Sequence, residues 1–116
     1  MNTFEMIPIA CNMDAISEDQ LASYQSVREL LQAACVAVQE RPRAVAFRYP
    51  ARPELLAAAS EWISLERRCC AFLGFELSVA PGENEFTLQV GGSEAAKAFV
   101  LANMVPSDAA TTDPVS

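Results

Sequence analysis

Residues 44–74, AVAFRYPARPELLAAASEWISLERRCCAFLG, contain a strand pattern followed directly by a helix pattern. Apolar side chains alternate at the start of the stretch, as in a strand with one buried face, at Val45, Phe47 and Tyr49. Pro53 suits the first position of a helix, and Gly74 suits the position that ends one. The stretch therefore predicts a strand at residues 44–49 and a helix at about residues 53–73.

Upstream of this stretch, residues 4–10 are typical of a strand, and Pro8 places it at a sheet edge because proline cannot donate to a ladder. Ser17 and Gln20 match a capping box. Apolar residues then recur at helical spacing, at Leu21, Tyr24, Val27, Leu31, Ala34, Cys35 and Val38. This pattern predicts a first helix over about residues 18–38.

Downstream, two alternating segments flank a turn at residues 81–84 and predict a β-hairpin. Ser93 is expected to cap a short third helix, and residues 106–116 are small and polar, as in a disordered tail. The element order β-α-β-α-β-β-α predicts a two-layer α+β sandwich of about four strands with the helices mainly on one face. We expect one α/β domain at residues 1–105.

Composition argues against several classes of partner and chemistry. The chain has 116 residues and a formal net charge of -7, so it would repel nucleic-acid phosphates and anionic membrane surfaces. It contains no histidine, which removes histidine-activated nucleophiles and mixed Cys/His zinc sites. Chemistry at this chain therefore has to use thiols, carboxylates and the backbone.

The chain start and the cysteine count bear on location. The first residues lack the basic start of a signal peptide, and no segment reaches the roughly 20 apolar residues of a membrane span. We therefore expect a cytoplasmic protein. In that compartment its four cysteines should act as thiols or ligands rather than as structural disulfides.

The adjacent pair Cys69-Cys70 lies in the last turn of the second predicted helix. Glu66 lies on the same apolar helix face, three and four residues earlier, at spacings where helical side chains meet. A carboxylate that faces a core needs a partner. Either Glu66 reaches a buried arginine or backbone amides, or it holds or donates a proton at a thiol site.

The position of the pair also affects its chemistry. Cys69 and Cys70 occupy the last helical turn, where the helix dipole disfavours a thiolate, but a soft cation would deprotonate the thiols on binding. Cys11 and Asp14 form a Cys-x-x-Asp motif directly after the first predicted strand, a usual place for site residues. Cys35 lies on the apolar stripe of the first helix and is expected to be a core residue.

The combination of Cys11-x-x-Asp14 with the later Cys69-Cys70 resembles the alkylmercury lyase (organomercurial lyase) family over about residues 9–78. The resemblance implies that Cys11 and Cys69 bind mercury, that Asp14 relays a proton to the departing carbon, and that Cys70 is an accessory thiol. A long helix here replaces the strand-rich connection that the family has between its two motifs.

The implied reaction is cleavage of a carbon–mercury bond. Paired thiolates attack the soft metal, and a nearby acid protonates the leaving carbanion. We add Glu66 to the catalytic candidates, because its place on the helix wheel would let it assist Asp14. Residues 66–73, ERRCCAFL, also resemble small uncharacterised bacterial proteins that carry an E-R-R-C-C-x-F-L motif.

Three functions stay open on the sequence. The first is a site for mercury or another soft metal on Cys11, Cys69 and Cys70, with or without organomercurial cleavage. The second is a non-enzymatic interaction domain whose cysteines belong to the core. The third is a thiol redox protein in which Cys11 pairs with one of the two, because adjacent helical cysteines point about 100° apart.

We favour the first function. Its partner would be a soft metal ion such as Hg(II), or an organometal, and no intrinsic cofactor is expected. A homodimer is compatible with the sequence.

Overall fold

The computed structural model describes residues 17–105 and the backbone of residues 111–112. Its helices are α1, Glu18–Ala34, α2, Pro53–Cys69, and α3, Glu94–Asn103. Its strands are β1, Ala37–Arg41, β2, Ala44–Pro50, β3, Gly74–Ser78, β4, Glu85–Gly91, and the two-residue β5, Thr111–Thr112. The strand predicted at residues 4–10 lies outside the described residues, and of the predicted tail only β5 is described.

The strands form one sheet in the order β3-β4-β2-β1-β5. The pairs β1–β2, β2–β4 and β3–β4 are antiparallel, whereas β5 pairs parallel with β1. Two hairpins, β1–β2 and β3–β4, therefore meet along the central β2–β4 ladder. The predicted hairpin is confirmed as β3–β4.

The sheet has one apolar face and one polar face. The sheet side chains that share one buried core with the helices are Val38, Val45, Phe47, Tyr49, Phe86, Leu88 and Val90. On the opposite face, Arg48 forms an ion pair with Glu85 at 3.0 Å, and Arg41 donates a hydrogen bond to Gln89 at 3.0 Å. Helices that cover one face of an antiparallel sheet form a two-layer sandwich, so the predicted α+β fold is confirmed.

The first helix is shorter than predicted. α1 ends at Ala34, and β1 follows in residues that the helical pattern had partly included. Val38 is buried as the strand partner of Phe47 rather than as a helix residue. One apolar position fits both periods, and no glycine or proline marks the helix end, so spacing alone could not separate the two.

The three helices start where predicted, but α2, like α1, ends earlier than the predicted end at about residue 73. The capping box of Ser17 and Gln20 is present, and the Ser93 hydroxyl accepts a hydrogen bond from the backbone N–H of Ala96 at 3.0 Å. α2 starts at Pro53 as predicted but ends at Cys69, with Cys70 as its C-cap. None of α1, α2 and α3 is both long and apolar enough to cross a bilayer.

Candidate thiol and carboxylate site

The last turn of α2 places Glu66 and Cys69 beside Cys70, and all three side chains are buried, with 0 to 2% of each exposed. The Cys69 thiol donates a hydrogen bond to Glu66 Oε1 at 3.3 Å, and the Cys70 sulfur lies 3.1 Å from the same oxygen. The two sulfurs are 3.5 Å apart. The meeting of these three side chains at helical spacing is what the sequence pattern predicted.

Glu66 has a partner that the sequence did not identify. The Tyr24 hydroxyl on α1 donates a hydrogen bond to Glu66 Oε2 at 2.9 Å, in the buried contact between α1 and α2. Within residues 17–105, the hydrogen-bond donors to this carboxyl are a phenol and a thiol rather than a buried arginine or backbone amides. The sequence did contain a signal for such a partner. Tyr24 lies on the apolar stripe of the first helix, and the hydroxyl of a buried tyrosine usually forms a hydrogen bond.

Burial dominates the electrostatics of the cluster. It raises the pKa of Glu66, although the hydrogen bonds from Tyr24 and Cys69 and the charge of Arg28 act in the opposite direction. Burial, together with the adjacent Glu66 charge and its hydrogen bond, raises the pKa of Cys69 to about 12. Cys69 is therefore a protonated thiol at neutral pH and is no ordinary thiolate nucleophile.

The two adjacent cysteines differ in their covalent state. Cys70 is disulfide-bonded, whereas Cys69 and Cys35, the other two cysteines of the described residues, are free. This differs from the expectation that every cysteine would be a thiol or a ligand. The pair is not bonded to itself, in line with the strain expected for neighbouring cysteines in a helical turn.

The remaining candidate residues are Cys11, Asp14 and Cys35. Cys11 and Asp14 lie outside the described residues. Cys35 is half-buried, packs against the core and donates a hydrogen bond to the backbone oxygen of Ala37 at 3.4 Å. Burial raises the pKa of the Cys35 thiol, which suits the core role predicted for it.

The donor atoms suit a soft metal in kind and spacing. One oxygen of Glu66 and the sulfurs of Cys69 and Cys70 lie within 4.8 Å of one another. Thiolates select soft ions such as Hg(II) or Cu(I), and coordination of the two thiols would release their protons. A metal at this position would require Cys70 in its reduced form.

Glu66 and Tyr24 also line a cavity of about 280 Å³ between the three helices. The buried cluster of Glu66, Cys69 and Cys70 therefore lies next to a cavity that can hold a small molecule.

No protein-family model, curated protein or solved structure matches this chain.

Proposed function

We propose that the reduced protein binds Hg(II) or another soft metal ion through Cys69 and Cys70, with Cys11 as a further ligand. The main support is the clustering of two cysteine sulfurs around one carboxyl oxygen in a buried site. Cys11 lies outside the described residues and enters the proposal through its Cys-x-x-Asp motif.

Charge balance favours a divalent soft ion at this position. The Cys69 and Cys70 thiolates would together neutralise a dication, and burial raises the pKa of Glu66, which disfavours a further negative charge beside them. The same burial disfavours a thiolate in the metal-free protein. Coordination reverses this because a bound metal deprotonates its thiol ligands.

Organomercurial cleavage is the extension of this proposal. Two thiolates would bind the mercury of R–Hg⁺, the carbon–mercury bond would break with its electron pair on carbon, and a proton from Asp14 or Glu66 would complete R–H. Hg(II) would remain on the two sulfurs. Glu66 Oε1 lies within 3.3 Å of both sulfurs, so its proton would be near the reacting metal.

A titration of prereduced protein with Hg(II) and with phenylmercury tests the proposal. We expect one metal per chain in native mass spectra, retained against an excess of glutathione. Cys69→Ser and Cys70→Ser should lose the retained metal, whereas the matched control Cys35→Ser should keep it. Release of benzene from phenylmercury would establish cleavage.

The proposal fails if wild-type protein holds Hg(II) no more tightly than glutathione does, or if Cys35→Ser removes the metal as completely as Cys69→Ser.

A second candidate function is thiol redox exchange, and the disulfide of Cys70 favours it. We infer that Cys11, the fourth cysteine of the sequence, is the redox partner of Cys70. Reduction by a cellular dithiol would break the S–S bond, with two electrons and two protons converting the disulfide to two thiols. Cys69, a free thiol 3.5 Å from the Cys70 sulfur, would be the neighbouring group.

Peptide mapping of non-reduced protein tests this second candidate. A linked peptide that contains Cys11 and Cys70, with a reduction potential within the cellular glutathione range, would support it. Alkylation of both residues without prior reduction would contradict it. Metal binding could still hold in that case, so the two functions are separable.

A further inference from the structure

The cavity beside Glu66 lies between the helices on the apolar side of the sheet. Its lining comes from α1, α2 and α3 and from Met104, the C-cap of α3. Its volume of about 280 Å³ is slightly below the roughly 300 Å³ at which the usual range of small-molecule pockets starts. A ligand with a single ring fits this size, whereas a nucleotide does not.

Aromatic side chains form much of the wall and are held in place by their neighbours. Trp62 stacks edge-on against Phe75 at 5.5 Å between ring centroids, and Phe99 does the same against Phe72 at 4.9 Å. Because these rings are fixed by packing, the cavity is preformed. An apolar ring would find a matching surface there.

The polar groups of the cavity have unequal capacity for a ligand. Both oxygens of Glu66 already accept hydrogen bonds, from Tyr24 and from Cys69. Arg28 uses one N–H group, which donates to the backbone oxygen of Asn103 at 3.1 Å and so holds the guanidinium against the end of α3.

Arg28 is not in an ion pair with any carboxylate of the described residues. A guanidinium has five N–H donors in a planar fork, so Arg28 keeps donors for a ligand. Among the charged side chains of the described residues that line this cavity, Arg28 is thus the one with spare donors, and its guanidinium favours an anionic acceptor, although the chain as a whole carries a net charge of -7.

We propose that this cavity binds a small organic carboxylate, with the carboxylate on Arg28 and the apolar part against Trp62 and Phe99. The site goes beyond the proposed metal function and does not depend on it. Because Glu66 belongs to both places, the bound molecule would lie beside the cysteine cluster.

The single tryptophan of the sequence, Trp62, lines the cavity and reports on its occupancy. Cyclohexanecarboxylate and its neutral amide serve as probes, since neither absorbs where indole does. We expect the carboxylate to shift Trp62 fluorescence saturably and to bind about tenfold or more tightly than the amide, the effect of a charge-assisted hydrogen bond.

Arg28→Gln should lower the affinity for the carboxylate by about tenfold or more and remove the preference over the amide. Arg28→Lys keeps the positive charge and should retain the preference for the carboxylate. That result would show that the loss in Arg28→Gln comes from the missing charge and not from a folding defect. The matched control is Arg52→Gln, an exposed arginine before α2 whose side chain makes no capping hydrogen bond. It should bind both probes as the wild type does.

Equal affinity for acid and amide in the wild type would overturn the proposal, as would an equal loss in Arg28→Gln and Arg52→Gln. Hg(II) titration of the Arg28→Gln variant separates the two proposals. If Arg28→Gln keeps the metal but loses carboxylate binding, Arg28 acts in the carboxylate site and not in the metal site. A wild type that binds carboxylate but no metal would overturn only the metal function.

Discussion

At the scale of single residues, Glu66 is the position where this fold departs from an ordinary core. It is the one charged residue among the buried side chains of the described residues. A buried carboxyl group persists only when its oxygens have donors, and here a phenol supplies one and a thiol the other. The site thus depends on Tyr24 as much as on the two cysteines.

Replacement of Tyr24 with phenylalanine removes the donor to Glu66 Oε2. We expect the free energy of unfolding to fall by about 1–3 kcal/mol, because a buried acceptor loses its partner. Urea denaturation at neutral pH measures the change. The matched control is Tyr49→Phe, whose hydroxyl forms no hydrogen bond with the described residues; an equal loss in both variants would contradict the role of the Tyr24 hydroxyl.

Tyr49 gives a prediction in alkali. Burial raises the pKa of Tyr49 in the folded state above the unfolded value of about 10. The unfolded chain therefore loses this proton first, so stability is full below pH 10 and falls as the pH rises above it. Tyr49→Phe should lose about 1 kcal/mol less than the wild type between pH 10 and pH 11. Denaturant midpoints at these pH values check the difference, and parallel curves for the two proteins would contradict it.

At the scale of elements, the two hairpins meet where β4 ends beside the turn between β1 and β2. A Cβ added at Gly91 would overlap the backbone oxygen of Arg43 and the Cα of Ala44, which lies 2.6 Å away. Both are backbone atoms of a paired strand and its turn, so they cannot move aside cheaply. The close approach of the two hairpins therefore requires glycine at this position.

Gly91→Ala should destabilise the protein by about 2–3 kcal/mol through overpacking. Gly74→Ala is the matched control, because its Cβ would meet only an ordinary contact at 3.5 Å. Thermal unfolding of the two variants measures the difference. A Gly91→Ala protein as stable as Gly74→Ala would show that the hairpins can separate without cost.

At the scale of the whole molecule, metal binding and folding should be linked. The proposed ligands come together only in the folded chain, so the metal stabilises the native state by mass action. With Hg(II) at about 100 times its Kd, the gain should be about 2.7 kcal/mol. Thermal unfolding of prereduced protein with and without metal checks this; Cys69→Ser should lose the gain, and Cys35→Ser should keep it.

Local signals in the sequence were enough for several parts of this protein. The capping box at Ser17, the proline start of α2 and the hairpin of β3 and β4 depend on neighbours in the chain. The grouping of Glu66 with Cys69 and Cys70 was predictable for the same reason, because three- and four-residue spacings are fixed by the geometry of one helix.

Tertiary structure decided what depends on distant neighbours. β1 forms because β2 supplies its hydrogen-bonding partners. From the sequence alone, the apolar spacing at the start of β1 also fits a continuation of the first helix. Tyr24 and Glu66 are 42 residues apart and meet only because α1 and α2 pack side by side. The cavity beside Arg28 arises in the same way, because its lining residues come from three helices that are far apart in the sequence. Residue types and local spacing thus determined most of the elements and the cysteine cluster, whereas packing determined β1, the partner of the Glu66 carboxyl group and the cavity beside it.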